Sequence, residues 1–289
     1  MKVVLFCGGF GLRMRDVAPD VPKPMMPVGG RPILLQIMKF YAHFGHTDFI
    51  LCLGYKSQFI KDFFRNSNEC IVFESNQSGN CCQTKVLDDD RVWNITLVET
   101  GLDASIGERL RAIKGHVGDD EMFLANYSDV LTDVPLNAMI NNVIQQKKIA
   151  SFLCVRPTYT SHVVTFKSNG TVADIQHIRA HDIWINGGYF VFRREVFDYL
   201  GPGEDLVEEP FRRLIDDEQL LAYRYEGFWV PMDTFKDRQS IQLLDDQGVR
   251  PWAVWETAAL TVPALATSAR GTDAASSASI SPATVQLTS

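Results

Sequence analysis

Immediately after a short apolar run, the chain reads Gly8-Gly9-Phe10-Gly11-Leu12-Arg13-Met14. Glycines there free the backbone to approach a phosphate and turn its amides toward it. The same residues also suit a tight exit from a strand. A second block follows, Pro22-Lys23-Pro24-Met25. Flanking prolines stiffen the backbone, so Lys23 is fixed more firmly than a solvated surface charge needs to be. Arg13 and Lys23 set two cations beside the glycine turn, as a triphosphate and the charge developing during its transfer require. The dinucleotide fingerprint fits badly: Met14 stands where its last glycine belongs, and prolines follow where a helix should begin. That weakens the reading of a nicotinamide oxidoreductase. No Walker-type loop is present.

Elements that could position these blocks are readable around them. Val3 to Cys7 is a continuous β-rich apolar run, the pattern of a strand buried on both faces. Residues 12–31, with four prolines, read as an irregular loop. Pro32 opens a helix carrying Ile33, Ile37, Tyr41 and Phe44 on one stripe, capped at Gly45. Phe49 to Leu53 is a second buried strand and Ser57 to Phe64 a second helix. This opening predicts an α/β fold with a parallel sheet and right-handed crossovers. Residues 66–98 read as an irregular excursion or hairpin. Further on, helices are expected over 106–113, 136–146 and 208–215. Strands are expected over 122–126, 151–155, 163–166 and 221–225, with Asn186-Gly187-Gly188 preceding a strand over 189–192.

With 46% hydrophobic residues among 289, a large core is available. The net charge of −7 argues against a nucleic-acid binder, which needs a basic stripe. No run of eighteen apolar residues suggests a membrane span, and the N-terminal run reads as a strand, not a signal peptide. Six cysteines without a CxxC pair read as reduced thiols in a cytoplasmic protein. His43 and His46 read as surface or cap residues and not as a ligand pair. From Thr257 to Ser289, Ala, Ser and Thr dominate, and such a stretch cannot bury enough apolar area to offset its ordering entropy. The expected organisation is a domain over 1–256 and a disordered tail over 257–289.

Residues 2 to about 255 resemble the sugar-1-phosphate nucleotidylyltransferases, most closely the glucose-1-phosphate cytidylyltransferase branch. The family start GGxGxR, followed by KPM, is matched by Gly8-Gly9-Phe10-Gly11-Leu12-Arg13 and Lys23-Pro24-Met25. Branch-like features are Leu51-Cys52-Leu53-Gly54-Tyr55-Lys56, Ile185-Asn186-Gly187-Gly188, and Gly227-Phe228-Trp229 with Met232-Asp233-Thr234. The resemblance implies a Rossmann-like nucleotidyltransferase fold: a mostly parallel mixed sheet flanked by helices, with a sugar-binding subdomain. It implies transfer of a nucleotidyl group, CMP from CTP, to glucose 1-phosphate, with release of pyrophosphate. It also implies Mg²⁺ held by Asp129 and Asp233, catalysis by Arg13 and Lys23, and a nucleotide bound by Gly8, Gly9, Gly11 and Arg109. Asn186, Gly188 and Glu209 match positions near the sugar phosphate, and homo-oligomerisation is the family tendency.

Read without the family, Asp129 could cap a turn, Arg109 could be a solvated helix charge, and Asn186-Gly187 could be a turn signal. The chain also departs from the pattern. Leu12 replaces a hydroxyl residue, and Ser128-Asp129-Val130 replaces Gly-Asp-Gly. His177-Ile178-Arg179 stands where relatives carry Glu-Lys-Pro, so Arg179 is the candidate for the missing cation on the sugar phosphate. These departures keep two alternatives open: a non-catalytic binder of nucleotide sugars that regulates a partner, and the same reaction with dTTP, UTP or GTP and another sugar phosphate.

Overall fold

The computed structural model describes residues 1–12, 20–76, 80–158 and 160–259. Nine strands form one sheet: β1 (Val3–Phe6), β2 (Asp48–Leu53), β3 (Cys70–Ser75), β4 (Cys81–Asp88), β5 (Arg91–Glu99), β6 (Met122–Asn126), β7 (Ala150–Val155), β8 (Ile185–Arg193) and β9 (Leu220–Tyr225). Their order is β9-β7-β8-β6-β1-β2-β5-β4-β3. Strand β1 is parallel to β2 and β6, β2 to β5, and β7 to β9. Only β8 and β4 run against both neighbours. The sheet is therefore mixed and mostly parallel, as expected. The helices are α1 (Ile33–His43), α2 (Ser57–Arg65), α3 (Ile106–Ala112), α4 (Lys114–Val117), α5 (Leu136–Gln146), α6 (Glu209–Asp216), α7 (Phe235–Asp246) and α8 (Val254–Ala259).

The apolar run of β1 explains its central place. Val3 and Leu5 belong to one buried cluster with Ile33, Ile37 and Tyr41 of α1. Val4 and Phe6 belong to a second, with Leu110 of α3 and Leu214 of α6. A strand covered on both faces needs apolar residues at every position, not at alternate ones. Because β1 and β6 are parallel neighbours, the glycine turn after β1 and the Tyr127-Ser128-Asp129 segment after β6 leave the sheet at the same edge. That edge is where open α/β sheets place ligands.

Three parts of the sequence reading need correction. Of the two readings of residues 66–98, the hairpin holds and the irregular excursion does not: β3, β4 and β5 pair antiparallel in turn and extend the sheet. The β4–β5 link is a two-residue turn at Asp89-Asp90, with Asp89 at φ +51°. An aspartate tolerates that left-handed conformation without the glycine that usually announces such a turn. Asn186-Gly187-Gly188 does not precede a strand but forms the start of β8. Finally, α7, α8 and the strand Val172–His177 were not foreseen. In α7 only Ile241 is buried, so its apolar stripe is thin. The strand Val172–His177 pairs with His162–Phe166 in a largely exposed ladder apart from the main sheet.

Helix α8 runs past residue 256, and residues 260–289 lie outside the described set. All six cysteines are free. Among the described residues, no helix is long and apolar enough to cross a membrane.

Candidate active site

Two short strands bring distant acidic residues together. Val130–Thr132 follows Asp129, and Trp229–Pro231 shortly precedes Asp233. They pair antiparallel with Val130 opposite Pro231. The Met232 amide donates to the Asp129 carbonyl at 2.9 Å, extending the ladder to the carboxylates themselves. On the far side of Asp233, Thr234 caps α7, and the Asp237 carboxylate accepts from the amides of Asp233 and Thr234. Each aspartate is thus fixed by backbone pairing on one side and by a turn or helix start on the other.

Lys23 meets both. Its Nζ donates to Asp129 Oδ2 and to Asp233 Oδ1, each at 2.6 Å. The lysine sits at the start of a 3₁₀ turn over Lys23–Met25, where Pro24 fixes the backbone and Met25 is buried. Burial alone would lower its pKa, but the charges and hydrogen bonds of the two carboxylates outweigh that and hold it above the usual lysine value. Gly11, at φ +58°, passes so close that a Cβ on it would lie 3.2 Å from Lys23 Cβ. These residues line a cleft of 370 Å³ together with Gly9, Phe10, Leu12, Tyr127 and Ser128.

Arg109 does not line this cleft. It is 2% exposed and lies behind the glycine turn. Its Nη2 donates to the carbonyls of Gly8 (3.1 Å) and Leu102 (3.3 Å). Its Nη1 donates to the carbonyls of Leu53 and Gly101 and to Thr100 Oγ1, at 2.8–3.1 Å. This arginine shapes the loop from within, so neither a solvated charge nor a direct reach into the cleft describes it.

The segment after β6 carries an unusual residue. Ser128 has φ +64° and is buried, yet is not glycine. Its hydroxyl donates to the Phe6 carbonyl at 2.7 Å and its amide to Asn126 Oδ1 at 2.6 Å. Those bonds hold a conformation that glycine would adopt freely. Tyr127, which sequence reasoning missed, faces the cleft and receives a 3.1 Å hydrogen bond from Asn186 Nδ2. Burial, aided by the charges of Asp205 and Asp129 and opposed by Asn186, raises the Tyr127 phenol above its usual pKa. Asn186 Oδ1 in turn accepts from the Gly188 amide, and Gly188, at φ +75°, leaves room for the Tyr127 ring. The only sequence signal for Tyr127 is its place beside Asp129.

Other expected residues lie elsewhere. Arg179 is exposed, with Nε donating to the Pro157 carbonyl at 3.2 Å. Glu209 is exposed at the start of α6, in a separate surface depression with Arg212 and Arg213. Neither lines the 370 Å³ cleft. Arg13 lies outside the described residues.

The donor set suits Mg²⁺. Two carboxylates already converge on a single positive charge, and hard oxygen donors are what Mg²⁺ takes. No group of three or more metal-binding side chains exists among the described residues.

Comparison with known proteins identifies the family and the fold. The profile of the nucleotidyl transferase family matches residues 2–242. A probable glucose-1-phosphate cytidylyltransferase of Bacillus subtilis is 36% identical over 88% of this chain and all of its own length. The glucose-1-phosphate cytidylyltransferase of Salmonella typhimurium is 34% identical over 89% of this chain, again over its full length. Among solved structures, a UTP-bound UGPase from Acinetobacter baumannii superposes with TM-score 0.62 at 16% identity, covering 91% of this chain and 99% of that one. A UDP-glucose pyrophosphorylase complexed with UDP-glucose gives 0.61 at 14% identity, covering 86% and 98%. At such identities the structural matches speak for the fold.

Proposed function

Because the chain belongs to the nucleotidyl transferase family, we propose that it is a glucose-1-phosphate cytidylyltransferase, joining CMP from CTP to glucose 1-phosphate and releasing pyrophosphate. The observation that carries the chemistry is the meeting of Lys23, Asp129 and Asp233 at the mouth of the glycine turn. CTP is favoured over other nucleotides by the full-length likeness to cytidylyltransferases.

In this reading a sugar-phosphate oxygen attacks the α-phosphorus in line. The bond from that phosphorus to the oxygen bridging to the β-phosphate breaks, and pyrophosphate leaves with the electron pair. No covalent enzyme intermediate is needed, so the protein's task is positioning and charge neutralisation. The turn from Gly8 to Gly11 receives the triphosphate, with Arg109 fixing its shape from behind. Lys23 orients the reacting phosphates, and Arg13 neutralises the departing pyrophosphate. Tyr127, held by Asn186, presents a protonated hydroxyl to the acceptor side of the cleft. Mg²⁺ held by Asp129 and Asp233 would supply Lewis-acid neutralisation of the phosphate charge. Arg179 and Glu209 reach the sugar phosphate only if the exposed ladder or the start of α6 closes on it. The free cysteines support a reducing, cytoplasmic setting, and the homo-oligomer implied by the family is part of the same reading.

The test is a matrix of CTP, dTTP, UTP and GTP against several sugar 1-phosphates with Mg²⁺, read by pyrophosphate release. CTP with glucose 1-phosphate should give the highest kcat/KM. A higher value for another pair reassigns the substrates, and no turnover with any pair refutes the reading. Sedimentation of the same protein tests the oligomer.

A further inference from the structure

The ammonium of Lys23 stands where a metal ion shared by Asp129 and Asp233 would be sought. It makes 2.6 Å contacts to both carboxylates, with its side chain only 14% exposed. The arrangement belongs to the chain's own design: Pro22 and Pro24 hold the turn that carries the lysine, and Gly11 packs against its Cβ. Against the two carboxylates, the one ammonium offsets half of their negative charge, the charge that would draw in a divalent ion. An ion placed between the same oxygens would also face the ammonium at a few ångströms, where like charges repel strongly in a partly buried site.

We propose that Lys23 is a built-in counter-cation that competes with divalent metal for Asp129 and Asp233, so that metal enters the site together with the nucleotide and not ahead of it. A triphosphate brings several negative charges to the glycine turn beside Lys23. Those charges draw the ammonium off the carboxylates and free their oxygens in the same event. The lysine that weakens the binding of bare metal thus becomes the lysine that orients phosphate. The inference rests on the reading of Asp129 and Asp233 as metal ligands.

The experiment uses Mn²⁺ alone as probe, with no nucleotide, and follows free Mn²⁺ by its paramagnetic resonance signal. The Lys23→Met chain, one atom shorter and without the charge, should bind Mn²⁺ at least tenfold more tightly than the native chain. Adding Asp129→Asn to Lys23→Met should abolish the gain. Equal or weaker binding by Lys23→Met overturns the proposal. A second measurement needs no variant. The native protein is acetylated with limiting acetic anhydride, and modification at Lys23 is read by peptide mass spectrometry. Saturating Mn²⁺ should speed acetylation of Lys23 several-fold relative to exposed lysines, and an unchanged rate overturns the proposal. Failure of the nucleotidyl-transfer reading would show separately, as absent pyrophosphate release by the native enzyme.

Discussion

Arg109 and Gly8 form a single unit: the guanidinium lies against the glycine and donates to its carbonyl at 3.1 Å, and a Cβ on Gly8 would overlap it. The loop therefore depends on the arginine as much as on its own glycines. Arg109→Lys loses most of the fork of donors that serves five acceptors, leaving buried carbonyls unpaired. It should cost about 2–4 kcal/mol in urea unfolding. Gly8→Ala should be comparably damaging. A shift below about 0.5 kcal/mol for Arg109→Lys would match a surface charge and contradict the buried role.

Asp129 and Asp233 should be needed for turnover more than for folding. Each carboxylate is partly exposed at the cleft, and each backbone is held by bonds that do not involve its side chain. Asp129→Ala and Asp233→Ala should each lower kcat/KM by at least ~100-fold, about 3 kcal/mol of transition-state stabilisation. Circular dichroism should stay unchanged. Pyrophosphate release at the native rate in saturating Mg²⁺ would remove the substituted residue from the metal site.

Ser128 offers a paired test of strain against hydrogen bonding. Ser128→Gly relieves the φ +64° backbone but gives up the bond to the Phe6 carbonyl, so the two effects should cancel to within about 1 kcal/mol. Ser128→Ala keeps the strain and loses the bond, and should cost about 1–3 kcal/mol. Equal melting temperatures for the two variants would show that the left-handed backbone carries no cost here.

His46 makes stability depend on pH. Both ring nitrogens are buried without a hydrogen-bond partner among the described residues, and burial lowers its pKa from 6.5 to about 4. Below pH 6.5 the unfolded chain takes up a proton that the folded chain refuses, so stability falls as pH drops. The loss is complete near pH 4. Allowing for solvent screening, it amounts to roughly 1–2 kcal/mol. His46→Asn removes this component, so the gap between native and variant unfolding free energies should narrow from pH 7 to pH 4. A constant gap would mean that His46 titrates normally in the folded state.

Where local pattern was strong, the sequence was readable. The unbroken run Val3 to Phe6 announced a doubly covered strand, and the stripe of Ile33, Ile37 and Tyr41 announced α1. The register of β4 carries an alternation of buried Cys82, Thr84 and Val86, but polar clusters and an Asp-Asp turn without glycine concealed it. Helix α7 was concealed for a different reason: it is largely exposed, with Ile241 its one buried residue, so its apolar stripe is too thin to show.

Taken alone, the sequence determined which chemical groups are present: a glycine turn, a proline-fixed lysine beside it, and aspartates at Asp129 and Asp233. It also determined the central strands, because a covered strand must be apolar at each successive residue. Only the tertiary structure decided that those two aspartates share one cation. It likewise decided that Arg109 turns inward under Gly8, and that Arg179 and Glu209 stay away from the cleft. Periodicity within a segment records how that segment meets a surface. Which remote segments meet each other is set by pairings such as Val130 with Pro231, whose energy comes from the packing of the whole sheet and leaves no mark in the spacing of either segment.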